Sequence, residues 1–508
     1  MHIHYNTNQT TLPLEIASCL PQDHIVFTIE KVVNALDEDC FARFYHDFGR
    51  PSYHPKMLLS ALLFAYSQGI FSGRKIEKLM VENLAMHYLT GQLVVSYRTI
   101  NRFRVAIGME DLIRELFVEL SLRLKVEDLV SLDCLYIDGT KIEANANKYS
   151  FVWKKAVDKF SLKLQENIRH SFQEEIAPLI EEAITLDEEE IIRSEQLAEF
   201  VTILESELEE INQAIDKQPV KGKDKRKSKR RKLKKVLRKV RDDFSVRAEK
   251  YEHYQEIFEG RNSFSKTDRD ATFMRMKEDH MMNGQLKAGY NLQIATENQF
   301  VLHYDVFPNP TDTKTLLPFL ESYPHDLKMV VADAGYGSEE NLLRLDKQGI
   351  DHLIKYNLFD KEQKRKYKQS PKNLDNWLYD EVRDRYTHPD GWDYHFDSIK
   401  HSRTSTGFEQ EIKIYKADYP ELAPQKGLYI NQRYQRLKEK ESQALLSEEG
   451  SRIFAQRKVD VEPVFGQIKA CLGYKRCNLR GKRQVRIDMG LVLMANNLLK
   501  YSKKMAHN

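Results

Sequence analysis

Three acidic residues of this 508-residue chain have the neighbours that carboxylate chemistry needs: Asp138 ahead of Gly139, Asp333 ahead of Ala334-Gly335, and Glu462 ahead of Pro463. Asp138 is the carboxylate that ends the β-rich part of the run 132–140, read as a central strand, and 328–333, read as another buried strand, ends in Asp333. An aspartate at the carboxyl end of a strand is aimed out of the sheet edge, where open α/β sheets place ligands. Carboxylates brought together repel one another unless a cation lies between them. An all-oxygen set favours Mg2+, with Mn2+ as a substitute, over zinc. Two such ions about 4 Å apart activate an attacking water or hydroxyl and stabilise the departing oxygen in phosphodiester displacement. Residue chemistry alone therefore reaches metal-dependent phosphodiester cleavage. Each aspartate taken singly also reads as a turn or helix-cap residue, and only the combination carries the expectation.

Glu462 has the most informative surroundings. Proline is tolerated near a first helical turn, so Pro463 places Glu462 at a helix start, with Phe465, Ile468 and Leu472 as the buried stripe. Lys469, seven residues on, returns to nearly the same face. That pairs a metal-holding carboxylate with a lysine able to meet phosphate, although a salt-bridged surface helix has the same spacing. Downstream, residues 473–486 interleave Arg476, Arg480 and Arg483 with Tyr474 and further basic residues. Arginine suits bidentate phosphate contact, so a nucleic-acid substrate is expected.

The elements that must hold these residues begin with a helical stretch. Pro55 suits the first turn of a helix in which Leu58, Ala61, Leu62 and Ala65 recur at helical spacing, and Gly69 closes it. Ser72 then caps a helix through Ile76, Leu79, Met80 and Leu84, and Ser96 opens a third. The third carries Arg98, Asn101, Arg102 and Arg104, the pattern of a helix-turn-helix-like DNA reader, and also of a solvated basic face. Residues 1–125 are accordingly expected to form an all-helical DNA-binding domain.

A mixed α/β core follows. Residues 126–154 supply its first part. Residues 261–355 supply the second, with 290–295 paired to 300–306 across a Thr-Glu-Asn turn and with Asp312 or Thr313 capping a helix over 315–320. Residues 431–508 form its C-terminal helical part, ending in an apolar helix over 487–500. Two insertions interrupt this core. In 155–260, Leu197, Val201, Leu204, Leu208, Ile211 and Ile215 step by four and three, and Leu233, Leu237, Val240 and Phe244 repeat the pattern. An acidic arm over 174–210 and a basic arm over 221–241, broken at 218–222, predict a long helical hairpin, an antiparallel coiled coil with complementary faces. The basic arm also suits DNA phosphate. Residues 356–430 read as a small β-rich insertion with strand-like pieces at 392–396 and 411–415.

Bulk composition narrows the class. With 41% hydrophobic residues the chain can fill a core. The net charge of +3 alone suggests no polyanion partner, but 31% of residues are charged and the signs are segregated along the chain, so distribution outweighs the sum. Cys19, Cys40, Cys134, Cys471 and Cys477 include no CxxC pair, so neither a disulfide framework nor a thiolate zinc site is expected. The chain has no basic region followed by an apolar run at its start and no membrane-length apolar stretch, so a cytoplasmic protein without membrane association is expected.

Several ordered blocks resemble the DDE transposases of bacterial insertion sequences, closest to insertion-sequence family eleven-eighty-two. Tyr53-His54-Pro55, Tyr66-Ser67-Gln68-Gly69, Ser72 through Glu77 and Thr99 through Arg104 resemble the family's N-terminal helical domain. Asp138-Gly139-Thr140 looks like its first-aspartate strand, and Thr267-Asp268-Arg269-Asp270-Ala271 with Gly289-Tyr290-Asn291-Leu292-Gln293 is similar to the block before the second. Asp333-Ala334-Gly335-Tyr336 and Glu462-Pro463-Val464-Phe465-Gly466, with Gly473, Arg480-Gly481 and Asn497-Leu498, look like the later motifs. The resemblance implies a ribonuclease-H-like catalytic core in which Asp138, Asp333 and Glu462 hold two Mg2+ ions. It further implies binding of terminal inverted repeats, DNA cleavage and strand transfer into target DNA, a DNA-backbone role for Lys469, a homodimer in the DNA complex, and a nucleoid-associated location. Two departures stand out. Tyr386-Thr387-His388-Pro389 sits where relatives often carry cysteines, and Ala455 and Lys458 replace the tyrosine and arginine that some relatives keep before the glutamate, with Arg457 one place away. A nuclease or resolvase on the same core needs no end-binding helical domain, and a catalytically inactive DNA-binding derivative predicts an eroded triad.

Overall fold

The computed structural model describes residues 15–45, 52–180, 191–219, 222, 224–276 and 284–506. The chain divides into two compact units: one takes in Met1–Asn145, Arg275–Gln285 and Gly289–Asn508, and the other Ala146–Met274 with Leu286–Ala288.

The first unit opens with helices Ile25–Asn34, Pro55–Ser67, Gly73–Glu82, Leu84–Thr90, Tyr97–Arg104 and Met109–Val126. Pro55 occupies the first turn, where a missing N–H costs nothing, and the His54 ring accepts from the Lys56 N–H. Ser72 stands at the next N-cap position without a side-chain capping bond. Leu84 belongs to a separate helix whose N-cap, Asn83, accepts from the Met86 N–H at 2.9 Å. Pro55–Ser67 is buried on nearly every side because the long helix Lys482–Met505 packs against it. Asp488 on that long helix is fully buried and accepts from the hydroxyls of Tyr66 and Tyr474 and, at 3.2 Å, from the Asn478 N–H.

The sheet of this unit is built around Cys134–Glu143. On one side it pairs antiparallel with Leu286–Glu297, which pairs with Phe300–Phe307; on the other it pairs parallel with Met329–Ala332, and that strand with Asp351–Ile354. The hairpin turn centres on Asn298 and Gln299, both at positive φ (51° and 61°), one residue beyond the expected Thr-Glu-Asn turn. The helix expected over 315–320 is Leu316–Glu321. Residues 378–430 add a five-stranded antiparallel sheet in sequence order, in which Asp393–Arg403 and Glu409–Ala417 are neighbours and Trp377, Tyr386, Tyr394 and Tyr415 form the core.

In the second unit, Lys154–Ser171, Ser194–Lys217, Lys225–Arg238 and Val246–Phe258 are the main helices. Leu197, Leu204, Ile211, Leu233, Leu237, Val240 and Phe244 share one apolar core, as their spacing requires. Leu164, Ile168 and Phe172 enter the same core, so a third helical segment joins the two arms read from the heptads. Opposite charges meet where the arms pack: Lys229 with Glu207 at 3.3 Å and Lys239 with Glu175 at 2.6 Å. Val220 and Lys221 of the expected break, and residues 181–190 of the acidic arm, lie outside the described residues. Among the described residues no helix is long and apolar enough to cross a membrane.

Candidate active site

Asp138 and Asp333 are neighbours across the parallel pairing. Asp138 lies inside the strand Cys134–Glu143, opposite Ile294, and not at a strand end as its sequence suggested, because the antiparallel pairing runs on to Glu143. Only Asp333 follows the end of its strand, Met329–Ala332. The parallel pairing ends with Ile137 opposite Ala332, so each aspartate is the next residue on adjacent strands, which lie about 4.8 Å apart. Asp138 is 8% exposed, and its Oδ1 accepts from the Gly139 N–H at 2.7 Å. Asp333 Oδ1 accepts from the Gly335 N–H at 2.8 Å, closing the turn that follows its strand.

Another carboxylate, Asp312, expected from sequence as a helix cap, lies beside Gly139 and Gly335, on the face of the Cys134–Glu143 strand opposite to Asp138. Asp312 does not cap through its side chain. Instead its Oδ1 accepts from Asn291 Nδ2 at 2.7 Å and from Gln293 Nε2 at 2.8 Å. Two glycines leave room for it. A Cβ on Gly139 would lie 2.7 Å from Asp312 Oδ1 and 2.3 Å from Gln293 Nε2. On Gly335 it would lie 3.0 Å from Asp333 Oδ1 and 3.3 Å from Asp312 Oδ2. Tyr336 is fully buried beside this group, and its hydroxyl donates to Gln293 Oε1. Burial, then the charges of Asp312, Asp138 and Asp333, hold its hydroxyl proton far more tightly than usual. The available signal was on the Leu286–Glu297 strand: Asn291 and Gln293 are polar, alternate, and so share one face of a strand that is otherwise largely apolar.

Glu462 sits differently from expectation. Its helix runs Glu448–Gly466 with Ser447 as N-cap, so Pro463 is near the end rather than the start. The missing N–H of Pro463 would have bonded the Val459 carbonyl, and that carbonyl accepts from Gln299 Nε2 at 2.9 Å instead. The helix packs on the Asp138 strand through Val461 and Val464, while Arg457 Nη1 comes to 3.4 Å from Asp138 Oδ2. Arg457 is buried, and its Nε and Nη1 have no hydrogen-bond partner among the described residues. Glu462 itself is exposed and, among the described residues, has no hydrogen-bond or ion-pair partner.

Asp138, Asp333 and Glu462 do not form a group whose ligand atoms all lie within 4.8 Å. Among the described residues the group that does is Asp393, His395 and Asp418 in the antiparallel sheet. There Asp393 accepts from Arg385 and Thr387, and His395 pairs with Asp418 at 3.1 Å, so its charges are already matched.

The basic residues divide into two sets. Lys469 Nζ donates to Thr140 Oγ1 at 2.8 Å, two residues along the strand from Asp138 and on the same face. Its turn is π-helical, Gln467–Cys471, so the seven-residue spacing from Glu462 does not map onto a regular α-helix. Arg476 Nε reaches the Ala144 carbonyl at 3.2 Å and Arg480 Nε the Asn145 carbonyl at 2.8 Å, continuing along the same strand exit. Arg483 donates to the carbonyls of Val105 and Ala106. On Tyr97–Arg104, Arg98 and Arg102 are exposed and Asn101 is half-buried. Arg104, read from sequence as a DNA contact, is 4% exposed, and its guanidinium donates to Tyr66 Oη, the Phe71 carbonyl and Asn101 Oδ1. Its charge serves the fold.

Residues 262–498 match the family model described as Transposase DDE domain, and residues 14–106 match that described as Transposase domain (DUF772). No curated protein and no solved structure matches the chain. The first match includes Asp312, Asp333, Glu462, Lys469 and the arginines beyond it; the second includes the Tyr97–Arg104 helix. Two transposase domain models, in this order along one mixed α/β chain, support an insertion-sequence DDE transposase.

Proposed function

We propose that the chain binds the terminal inverted repeats of an insertion sequence of family eleven-eighty-two, cleaves the DNA at the element ends and transfers the strands into target DNA. The observation that supports this best is that Asp138 and Asp333 stand next to each other on adjacent parallel strands, with Lys469 donating to Thr140 two residues along from Asp138. On this reading the sheet and its helices are a ribonuclease-H-like core.

Asp138, Asp333 and Glu462 are the carboxylates that would hold two Mg2+ ions, with Mn2+ as a substitute. An all-oxygen donor set fits a hard cation. Such ions, when bound, activate the attacking oxygen and stabilise the departing one. The chain's own residues do the positioning. Arg457 sets a buried positive charge against Asp138. Glu462 stands on the neighbouring helix with no partner to give up among the described residues. Lys469, Arg476 and Arg480 follow the strand exit where a DNA backbone would pass, with Arg483 extending the run. Arg98, Asn101 and Arg102 form the reading face of the N-terminal helices. The helices Ser194–Lys217 and Lys225–Arg238 act as a coiled-coil arm, and two copies hold two element ends in the cytoplasm, on the nucleoid.

The test uses DNA carrying the sequences that flank the gene. Asp333→Asn binds this DNA as the wild type does, and Mg2+-dependent cleavage falls by at least about 10²-fold, since charge stabilisation in the transition state is lost. Cleavage at the wild-type rate refutes the site.

A further inference from the structure

The helix Lys225–Arg238 has no acidic residue along its 14 positions, yet the fold uses only part of its charge. We infer that its outward face binds the phosphate backbone of a DNA duplex; this rests on the transposase reading above, which makes DNA the substrate.

The helix has two faces. Leu233, Val236 and Leu237 are buried in the apolar core of this unit. Beside them Lys229 reaches Glu207 at 3.3 Å, and Arg226 bonds Asp224 and the carbonyls of Ala214 and Gln218. Just beyond the helix, Lys239 and Arg241 meet Glu175 at 2.6 Å and Glu205 at 3.6 Å. These pairs join the basic arm to the acidic one. On the other face, Lys225, Arg231, Lys232, Lys234, Lys235 and Arg238 are exposed. Arg231, Lys232, Lys234 and Arg238 make no hydrogen bond or ion pair with any described residue. Steps of three and four through Lys225, Ser228, Arg231, Lys235 and Arg238 form one stripe, about 20 Å long at 1.5 Å per residue, with Lys232 and Lys234 on its flanks.

Solvation alone does not account for this stripe. Like charges three and four residues apart repel and weaken a helix. The helix Val246–Phe258 of the same unit mixes its signs, with Arg247, Glu249, Lys250, Glu252 and Glu256. The acidic groups nearest the ends of the stripe are occupied, Asp224 by Arg226 and Asp242 by Arg241, each at 2.9 Å. A protein partner needs apolar anchors, and this face has none: its exposed residues are lysines, arginines and Ser228. A DNA duplex carries one phosphate charge per about 1.7 Å of its axis, so the stripe matches about six base pairs. Contacts of this kind hold the backbone without reading sequence.

Arg231→Gln, Lys232→Gln, Lys234→Gln and Arg238→Gln, made together in the full chain, remove four outward charges and keep good helix formers. Binding to linearised plasmid DNA carrying the gene-flanking sequence, and to unrelated plasmid DNA, is followed against salt concentration. Melting temperature and DNA-free oligomeric state are measured beside it. We expect the slope of log affinity against log salt to fall by about three to four on both DNAs, at about 0.9 for each phosphate, with melting unchanged. A wild-type slope overturns the proposal. If the slope falls while the wild type shows no preference for the flanking sequence, the phosphate face stands and the end-binding reading fails. If that preference is present and the variant keeps the wild-type slope, only the phosphate face fails. A wild-type dimer without DNA that the variant loses assigns the face to a second copy, and the proposal falls. Should the variant melt lower, Arg231→Gln with Lys232→Gln and Lys234→Gln with Arg238→Gln are made as separate pairs. Loss of about half the slope change in each supports the proposal, and an unchanged slope in both overturns it.

Discussion

Arg104 is where sequence pattern and structure make opposite forecasts, so Arg104→Met decides between them. In the structure the guanidinium donates to Tyr66 Oη at 3.0 Å, to the Phe71 carbonyl at 2.7 Å and to Asn101 Oδ1 at 3.0 Å. Through Tyr66 it also offsets the fully buried Asp488 carboxylate, which Tyr66 and Tyr474 both approach as donors. Methionine fills similar volume but removes every donor. The carboxylate then lacks its buried counter-charge, a loss of about 3–5 kcal/mol when one partner of a buried pair is deleted. That lowers the melting midpoint by about 4–6 °C for a unit of this size. The assay is urea and thermal unfolding of the full chain, with DNA binding measured at a temperature where both proteins are folded. The structural reading expects marked destabilisation with the salt dependence of DNA binding unchanged. A phosphate contact would instead leave stability intact and reduce the slope of log affinity against log salt by about 0.9. The second outcome refutes the structural role.

Two further expectations follow from other parts of the molecule. Lys469→Ala lowers end-binding affinity and reduces the salt slope by about one ion, because a lysine beside the strand exit neutralises one phosphate; an unaltered slope removes Lys469 from the DNA path. His352 is buried, with Nδ1 2.5 Å from Glu441 and Nε2 3.2 Å from Asp346. Burial disfavours its charge, but the bonds and charges of the two carboxylates outweigh it, so the imidazole's pKa is raised above the ordinary 6.5. The stability this contributes is complete below 6.5 and disappears as pH climbs through the raised value. Unfolding midpoints of the wild type should fall over that window, and those of His352→Gln should be flatter; equal slopes contradict the assignment.

Parts of the site were legible because they depend on near neighbours along the chain. The β-rich runs that carry Asp138 and Asp333 identify two strands from residue type alone, although only Asp333 follows a strand end and the strand of Asp138 runs on to Glu143. The heptad spacing from Leu197 to Ile215 likewise marks an apolar seam, in which Leu197, Leu204, Ile211 and Ile215 are buried and Val201 and Leu208 partly buried. Asp312 was misread because a carboxylate two residues after a proline is an ordinary cap; only the strand pairing brings Asn291 and Gln293 under it. Pro463 misled for a similar reason. Local rules send proline to a first turn, yet here a hydrogen bond from Gln299, distant in sequence, takes up the carbonyl that proline leaves without a donor.

Sequence by itself determined the order of the elements, the apolar faces of the helices and the strands beside which the two aspartates stand, since periodicity and turn chemistry act over a few residues. Tertiary structure alone decided which charges are free to act. Arg98 and Arg104 lie six residues apart on one basic helix, yet one is exposed and the other is buried against Tyr66. Whether a charge meets solvent or an internal partner depends on what packs over it. Here that is the Lys482–Met505 helix and its Asp488, nearly four hundred residues along the chain.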